Sequence, residues 1–436
     1  MLTLALLALA GPTQLAFPAA EGAGRFSQGG RGGQVIYVTN LEDSGPGSLR
    51  AAVEAKGPRT ILFRVSGTIK LAKPLRIREG RVTIAGQSAP GDGITLRDHT
   101  LEIDADDVVI RYLRSRLGDE SKSEADAIWI QGGRRIILDH VSASWSVDET
   151  LSASANYTKP DQGFYDLTVQ WSVIADSLTH SLHAKGEHGY GSLIRGGRGA
   201  RVSFHHNLWA NHAARMPRPG NYSGPDVDPE GAFFDFRSNV FYNWGGSRSG
   251  YNADKATLAR YNFVDNSYIA GPQSKKNMAF EESNVLAKAY FAGNSMNGTV
   301  PSDPWSLVTG VQPEGYRLSA PIDVAPVRPE AAAASYAKVL SGAGASRPRD
   351  SVDLAIVRGV RDRTGRQIDS QREVGGWPVL KSSAAPRDND GDGIPDAWER
   401  RHGLNPGNAS DGAADRNGDG YTNLEEWLAE LAGEKL

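Results

Sequence analysis

The sequence predicts an all-β chain wound as a right-handed parallel β-helix and closed by a short C-terminal helical module of calcium loops. Three observations predict the solenoid. Short β-rich triplets recur at Val82-Thr83-Ile84, Val108-Val109-Ile110, Ile136-Ile137-Leu138, Leu167-Thr168-Val169 and Val202-Ser203-Phe204, and again at Phe233–Phe236, Leu258–Tyr261 and Ala289-Tyr290-Phe291. Their spacing of about 24–35 residues is that of stacked repeats. Gly, Asn, Asp and Ser fill the gaps with no long amphipathic helix, which argues against a doubly wound α/β sheet. Finally, Asn207, Asn239, Asn266 and Asn294 each end a rung ahead of a fresh apolar pair, where stacked amides can hydrogen-bond from coil to coil. An antiparallel sandwich would show hairpin dipeptides between neighbouring strands, and these are not evident.

Composition agrees. The 436 residues include 50 Gly, 4 Met and no Cys, so the chain is turn-rich and has no thiol chemistry. A formal charge of −3 argues against a general nucleic-acid binder. Residues 2–10, LTLALLALA, are too short to span a membrane and fit the apolar core of a signal peptide, although Arg25 is the first basic side chain. We expect a leader over 1–16, a mature chain from near Phe17, and a secreted protein, extracellular or periplasmic.

In chain order, a strand at Val35–Thr39 leads through a Gly/Pro turn to a short helix, Ser48–Ala55, capped by Ser48. Ile61–Val65 is the next strand, and the helix and strands together suit the closed end of a solenoid whose rungs start near residue 81. The β-helix domain is expected over 17–300. Residues 301–386 gain Pro and Ala and lose the rungs. Glu330–Leu340 and Asp350–Arg361 read there as amphipathic helices packed along the outside.

Residues 387–436 form the calcium module, with two twelve-residue oxygen-rich loops. In DNDGDGIPDAWE, Asp388, Asp390, Asp392, Asp396 and Glu399 fall at loop positions 1, 3, 5, 9 and 12. In DRNGDGYTNLEE, Asp415, Asn417, Asp419, Asn423 and Glu426 take the same places. Gly393 and Gly420 permit the sharp turn at position 6. No helix precedes the first loop, so the module looks more like dockerin or thrombospondin-type repeats than a sensor hand.

The chemistry lies in the solenoid. Glu124 and Asp126, two apart in extended chain, share a face. One repeat later come Asp148 and Glu149, and on coils stacked about 4.8 Å apart the four acids approach one another. Close carboxylates repel, and a calcium ion resolves that. Lys185 follows, then Arg215 and Arg218 on a stretch, RMPRPG, that Pro217 and Pro219 stiffen and exclude from a ladder. Acids, lysine and arginines in that order make a groove for a polymer of regularly spaced carboxylates, a polyuronate.

The combination resembles pectate lyases of polysaccharide lyase family 1. The likeness is carried by Gly30–Leu71, IILDHVSASWSVDETLS, Ser181–Gly197 and Val202–Gly220, the last containing HHNLWANHAARMPRPG. The resemblance implies calcium-dependent β-elimination on an acidic plant polysaccharide, polygalacturonate or pectin, by a monomer without nucleic-acid or membrane partners. It implies that Arg215 is the base that removes the carbon 5 proton, and that Glu124, Asp126 and Asp148 are calcium ligands, with Glu149 a substitute fourth. Lys185 matches the lysine that binds the substrate carboxylate. Arg218 would do the work of a second arginine that the family often places five residues after the base, where this chain has Gly220. A guanidinium is normally protonated, so an arginine base implies an alkaline pH optimum.

Three other readings use the same residues. A polygalacturonase-like hydrolase would use Glu124 and Asp126 as general acid and water activator. A lyase for another polyuronate would use His188 and Tyr190, or His205 and His206. A non-catalytic glycan binder would use only the cations.

Overall fold

The computed structural model describes residues 14–159 and 162–435, so most of the expected leader lies outside the described residues. The chain is a parallel β-solenoid with three faces. The first face is a ladder of ten strands, Gln34–Val38, Arg59–Phe63, Val82–Ala85, Val108–Arg111, Ile128–Asp139, Phe164–Gln170, Ala200–His205, Ala232–Arg237, Ala259–Val264 and Lys288–Ala292. Nine shorter strands, from Gly67–Lys70 to Ser295–Met296, make the second face. The third face runs through Leu75–Ile77, Leu101–Asp104, the start of Ile128–Asp139, Leu151–Ser154, Leu193–Arg195 and Arg218–Gly220. Neighbouring strands on each face are parallel.

A column of inward side chains explains why these rungs stack. Ile84, Ile110, Leu138, Val169, Phe204, Phe236, Phe263 and Phe291 lie in register on successive coils, all buried. The column passes from aliphatic to aromatic, and its phenylalanine rings stack at 5.0 Å (Phe236–Phe263) and 4.6 Å (Phe263–Phe291). Each ring sits over the next at the rung repeat, so burial and ring packing reinforce one register.

The asparagine ladder is present. Asn207 Nδ2 donates to Asn239 Oδ1 (3.1 Å), Asn239 Nδ2 to Asn266 Oδ1 (3.0 Å) and Asn266 Nδ2 to Asn294 Oδ1 (2.9 Å). Asn239 also accepts the Asn207 N–H and donates to Phe204 O, all in the interior. Removing that amide strands several buried groups at once, each worth about 1–3 kcal/mol. Asn239→Ala should therefore lower the unfolding midpoint clearly while leaving activity at 25 °C intact, and chemical denaturation checks it.

Two expectations about the fold need correction. Coiling starts at Gln34 rather than near residue 81, because Gln34–Val38 already pairs with Arg59–Phe63. The capping helix, Leu49–Glu54 with Ser48 at its N-cap, is thus an insertion within the first coil that buries Leu49, Ala52 and Val53 over the open end. Pro219 is also inside a ladder, in register with Ile194. It is tolerated because the bonds to that neighbour come from the residues on either side: Arg218 N donates to Ser192 O (2.9 Å) and Gly196 N to Gly220 O (3.1 Å).

Residues beyond 310 return along the solenoid. Helices Ala332–Gly342 and Ser351–Asp362 lie against the second face, where Ser142 Oγ donates to Asp353 Oδ2 (2.6 Å) and Arg116 pairs with Asp350 and Asp353. Helices Asp396–His402 and Asn423–Ala432 cover the first coils, packing Ile394, Trp398, Leu424, Trp427 and Leu428 on Leu62 and Ala85. Among the described residues no helix is long and apolar enough to cross a membrane.

Candidate active site

The third face gathers the acids and cations. Glu149, Tyr190 and Ala214 bridge in parallel from coil to coil, so the residues flanking them converge on one wall. Arg215 follows Ala214 with φ 60°, a left-handed conformation that an arginine adopts only when its surroundings enforce it. Its carbonyl accepts the Ser192 N–H at 2.7 Å, and a Cβ on Gly191 would meet that oxygen at 2.6 Å, so residue 191 must be glycine for the coils to close here.

Asp126, Asp148 and Glu149 offer carboxylate oxygens that all lie within 4.8 Å of one another. Asp126 Oδ1 also accepts the Glu149 N–H (3.1 Å). Burial, and then the charge of Asp148, push the Asp126 carboxyl well above the usual range. Burial works against the Asp148 charge too, but hydrogen-bonded His188, with His183 and Arg215 behind it, holds that carboxyl below the usual value. A half-buried carboxylate that resists ionising beside one that stays ionised is the electrostatic condition that a hard divalent cation relieves. These three donors therefore fit calcium.

Arg215 sits against this group. Its guanidinium is ion-paired with buried Glu149 and lies 4.3 Å over the Tyr190 ring. Arg218 is half-buried, 3.9 Å from Asp254 and 5.5 Å from the Tyr251 ring. Burial holds its pKa below the ordinary arginine value; Arg195 and Arg215 press the same way, against the opposing Tyr251 and Asp254. Lys185 is exposed on the loop that passes over the acids.

Glu124 is placed apart from the triad. The loop after Leu178 folds back, so Glu124 Oε2 accepts the Ala184 N–H (2.8 Å) and Oε1 faces His183 Nε2 (3.3 Å). His183 and His188 stack at 3.6 Å, and His188 Nε2 lies 2.6 Å from Asp148 Oδ1. Sequence reasoning had His188 and Tyr190 only as rival acid–base groups; the fold makes them the partner of Asp148 and the platform of Arg215. His205 and His206 lie elsewhere: both are buried, in contact with each other (3.0 Å), and His206 stacks on Trp171 at 4.3 Å.

The C-terminal loops differ from each other. In the first, Asp388, Asp390 and Asp392 converge, and Asp392 and Glu399 converge with Asp411, each group within 4.8 Å. Glu399 is fully buried, with no hydrogen-bond partner on either oxygen. Burial, then Asp390, Asp392 and Asp411, push its carboxyl up to about 7. Asp396 faces away, accepting the Asn389 N–H (2.9 Å) and pairing with Arg400 (3.1 Å). Asp411, outside the twelve-residue pattern, stands in the cluster instead. In the second loop Asp415 accepts the Gly418 and Gly420 N–H groups, and Asn417 donates to Asp419 (3.1 Å). Asn423 donates to Asp411 O (2.7 Å), and Glu426 is held by Arg416 (2.7 Å). Among the described residues, no three carboxylates of that loop converge.

No family model matches the chain. Over 442 residues, 99% of the chain, it is 36% identical to a protein described as probable pectate lyase C of Aspergillus fumigatus, covering 97% of that relative. Identity to the protein of the same description in Emericella nidulans is 36% over 449 residues, 99% of the chain and 96% of the relative. Among solved structures, a pectate lyase bound to hexasaccharide aligns with TM-score 0.53 at 14% identity, over 78% of this chain and 99% of that one, which supports the fold.

Proposed function

Because the chain belongs to the pectate lyase family, we propose that it cleaves (1→4)-α-D-galacturonan by calcium-dependent β-elimination, releasing 4,5-unsaturated oligogalacturonides. One observation carries the site assignment: Asp126, Asp148 and Glu149 converge beside Arg215 on the third face. Asp126, Asp148 and Glu149 would hold the calcium, whose charge would acidify the proton on carbon 5 of the bound galacturonate. Arg215, placed as the base, takes that proton, the electron pair forms the carbon 4–carbon 5 double bond, and the glycosidic oxygen at carbon 4 departs with its bonding pair to be protonated by solvent. Glu149 is shared between the ion site and the guanidinium, which ties ion binding to the state of the base. Tyr190 fixes the plane of Arg215 from below. Lys185, exposed on its loop, would pair with the substrate carboxylate.

The same reading covers the C-terminal module. Orphaned, buried Glu399 with Asp388, Asp390, Asp392 and Asp411 is a donor set for a structural calcium that clasps the module to the first coils, while Arg416 already neutralises Glu426 in the second loop. The apolar run at residues 2–10 and a polymeric substrate support secretion.

Incubation with polygalacturonate should raise near-ultraviolet absorbance through the new double bond, and chelation should abolish the rise. Reducing ends appearing without absorbance would mean hydrolysis and overturn the proposal.

A further inference from the structure

Gly220 carries no side chain, and the coil beside it supplies an arginine at the same level of the ladder. Arg195 closes strand Leu193–Arg195 in register with Gly220, while Leu193 is in register with Arg218. Ile194 is buried and its two neighbours are not, so Arg195 points outward on the same side as Arg218. A Cβ at position 220 would meet Asp254 Oδ2 at 2.2 Å, so a side chain there would have to displace that carboxylate.

Asp254 fills that space and organises what surrounds it. It is buried, its Oδ2 accepts the Asn221 N–H (2.8 Å), and its Oδ1 is ion-paired with Arg195 and 3.9 Å from Arg218 Nη2. One carboxylate thus anchors two guanidiniums from adjoining coils and leaves one positive charge in excess. Arg195 also lies 4.2 Å over the Tyr222 ring, so its guanidinium plane is fixed by an aromatic face and an acid, while Arg218 lies 5.5 Å from the Tyr251 ring. The two side chains keep 16% and 18% of their surface open to solvent. A planar, pre-oriented, under-neutralised arginine pair is a receptor for a carboxylate.

We propose that Arg195 and Arg218, held on Asp254, form the subsite that grips a galacturonate carboxylate next to the cleavage point, with Arg195 supplying from the neighbouring coil the guanidinium that Gly220 lacks. The assignment rests on the pectate lyase reading, and the test separates the two. Charge-assisted hydrogen bonds of this kind are worth about 10- to 100-fold in binding. In Arg195→Ala, kcat/KM on polygalacturonate should fall by about that factor, mainly through KM. On highly methyl-esterified pectin, whose esters bear no charge, the fall should be much smaller. Arg195→Lys, which keeps the charge and loses the planar fork, should recover part of the loss, and calorimetric binding of trigalacturonate to Arg215→Ala with and without Arg195→Ala should give the same factor without turnover. An unchanged KM, or an equal loss on esterified and de-esterified substrate, overturns the proposal. Failure of the underlying reading shows separately, as wild-type protein that releases no unsaturated product.

Discussion

Arg215→Ala is expected to lower kcat on polygalacturonate by about three orders of magnitude while oligogalacturonate still binds in the presence of calcium. A positioned general base contributes about 10²–10⁴. Arg215 is the basic side chain the fold places against the carboxylate triad, in contact with Glu149 and flat over Tyr190. Its backbone is held in a left-handed conformation there. Arg215→Lys should retain a fraction of the rate with an altered pH profile, because the ammonium loses its proton more readily than the guanidinium but cannot lie flat over Tyr190. Lys185→Ala, on an exposed loop, should act through KM. Single-turnover absorbance on saturating substrate separates these outcomes. A near wild-type kcat in Arg215→Ala would remove Arg215 from the chemistry and bring Lys185 forward as the base.

What the sequence made legible is what repeats locally. The Asn207–Asn294 ladder and the aliphatic-to-aromatic column are set by a side-chain period of two and a rung length the chain keeps repeating, so both can be read without coordinates. Asp126 and Asp148 precede successive rungs of one face and Arg215 the next rung but one, and that regularity carries them to one wall. Departures arise wherever a loop or a distant segment decides. Glu124 has the right spacing to join the triad, yet the loop bearing His183 and Ala184 captures it. Asp396 sits at the right loop position, yet Asn389 and Arg400 engage it, while Asp411 enters from outside the pattern. Arg195 is a lone arginine at a strand end and means nothing until its register with Gly220 is known.

The same limit applies to the second large effect. Arg116→Ala should destabilise the protein by about 3–5 kcal/mol, the cost of leaving buried charge without its partner. Arg116 is fully buried on the second face, 2.5 Å and 3.0 Å from the two Asp350 oxygens and 2.8 Å from Asp353. These aspartates begin helix Ser351–Asp362, and Asp350 also caps it by accepting the Asp353 N–H. Arg114, 3.5 Å from Asp350, completes a network of two guanidiniums and two carboxylates joining residues 234 positions apart. Burial alone would push the Asp350 carboxyl up, but Arg116 and Arg114 overcome it and hold it below its ordinary value. A depressed aspartate stabilises the folded state above the unfolded-state value of 3.8 and loses that contribution as pH falls through the folded value. The gap between wild type and Arg116→Ala should therefore be full near neutrality and shrink on acidification below about pH 4. Denaturant titrations at pH 7 and pH 3 measure it, with hydrogen exchange in residues 351–362 reporting whether the helix detaches first. Equal stabilities at pH 7 would mean the network only orients the helix, since a buried ion pair can cost as much to desolvate as it returns in attraction.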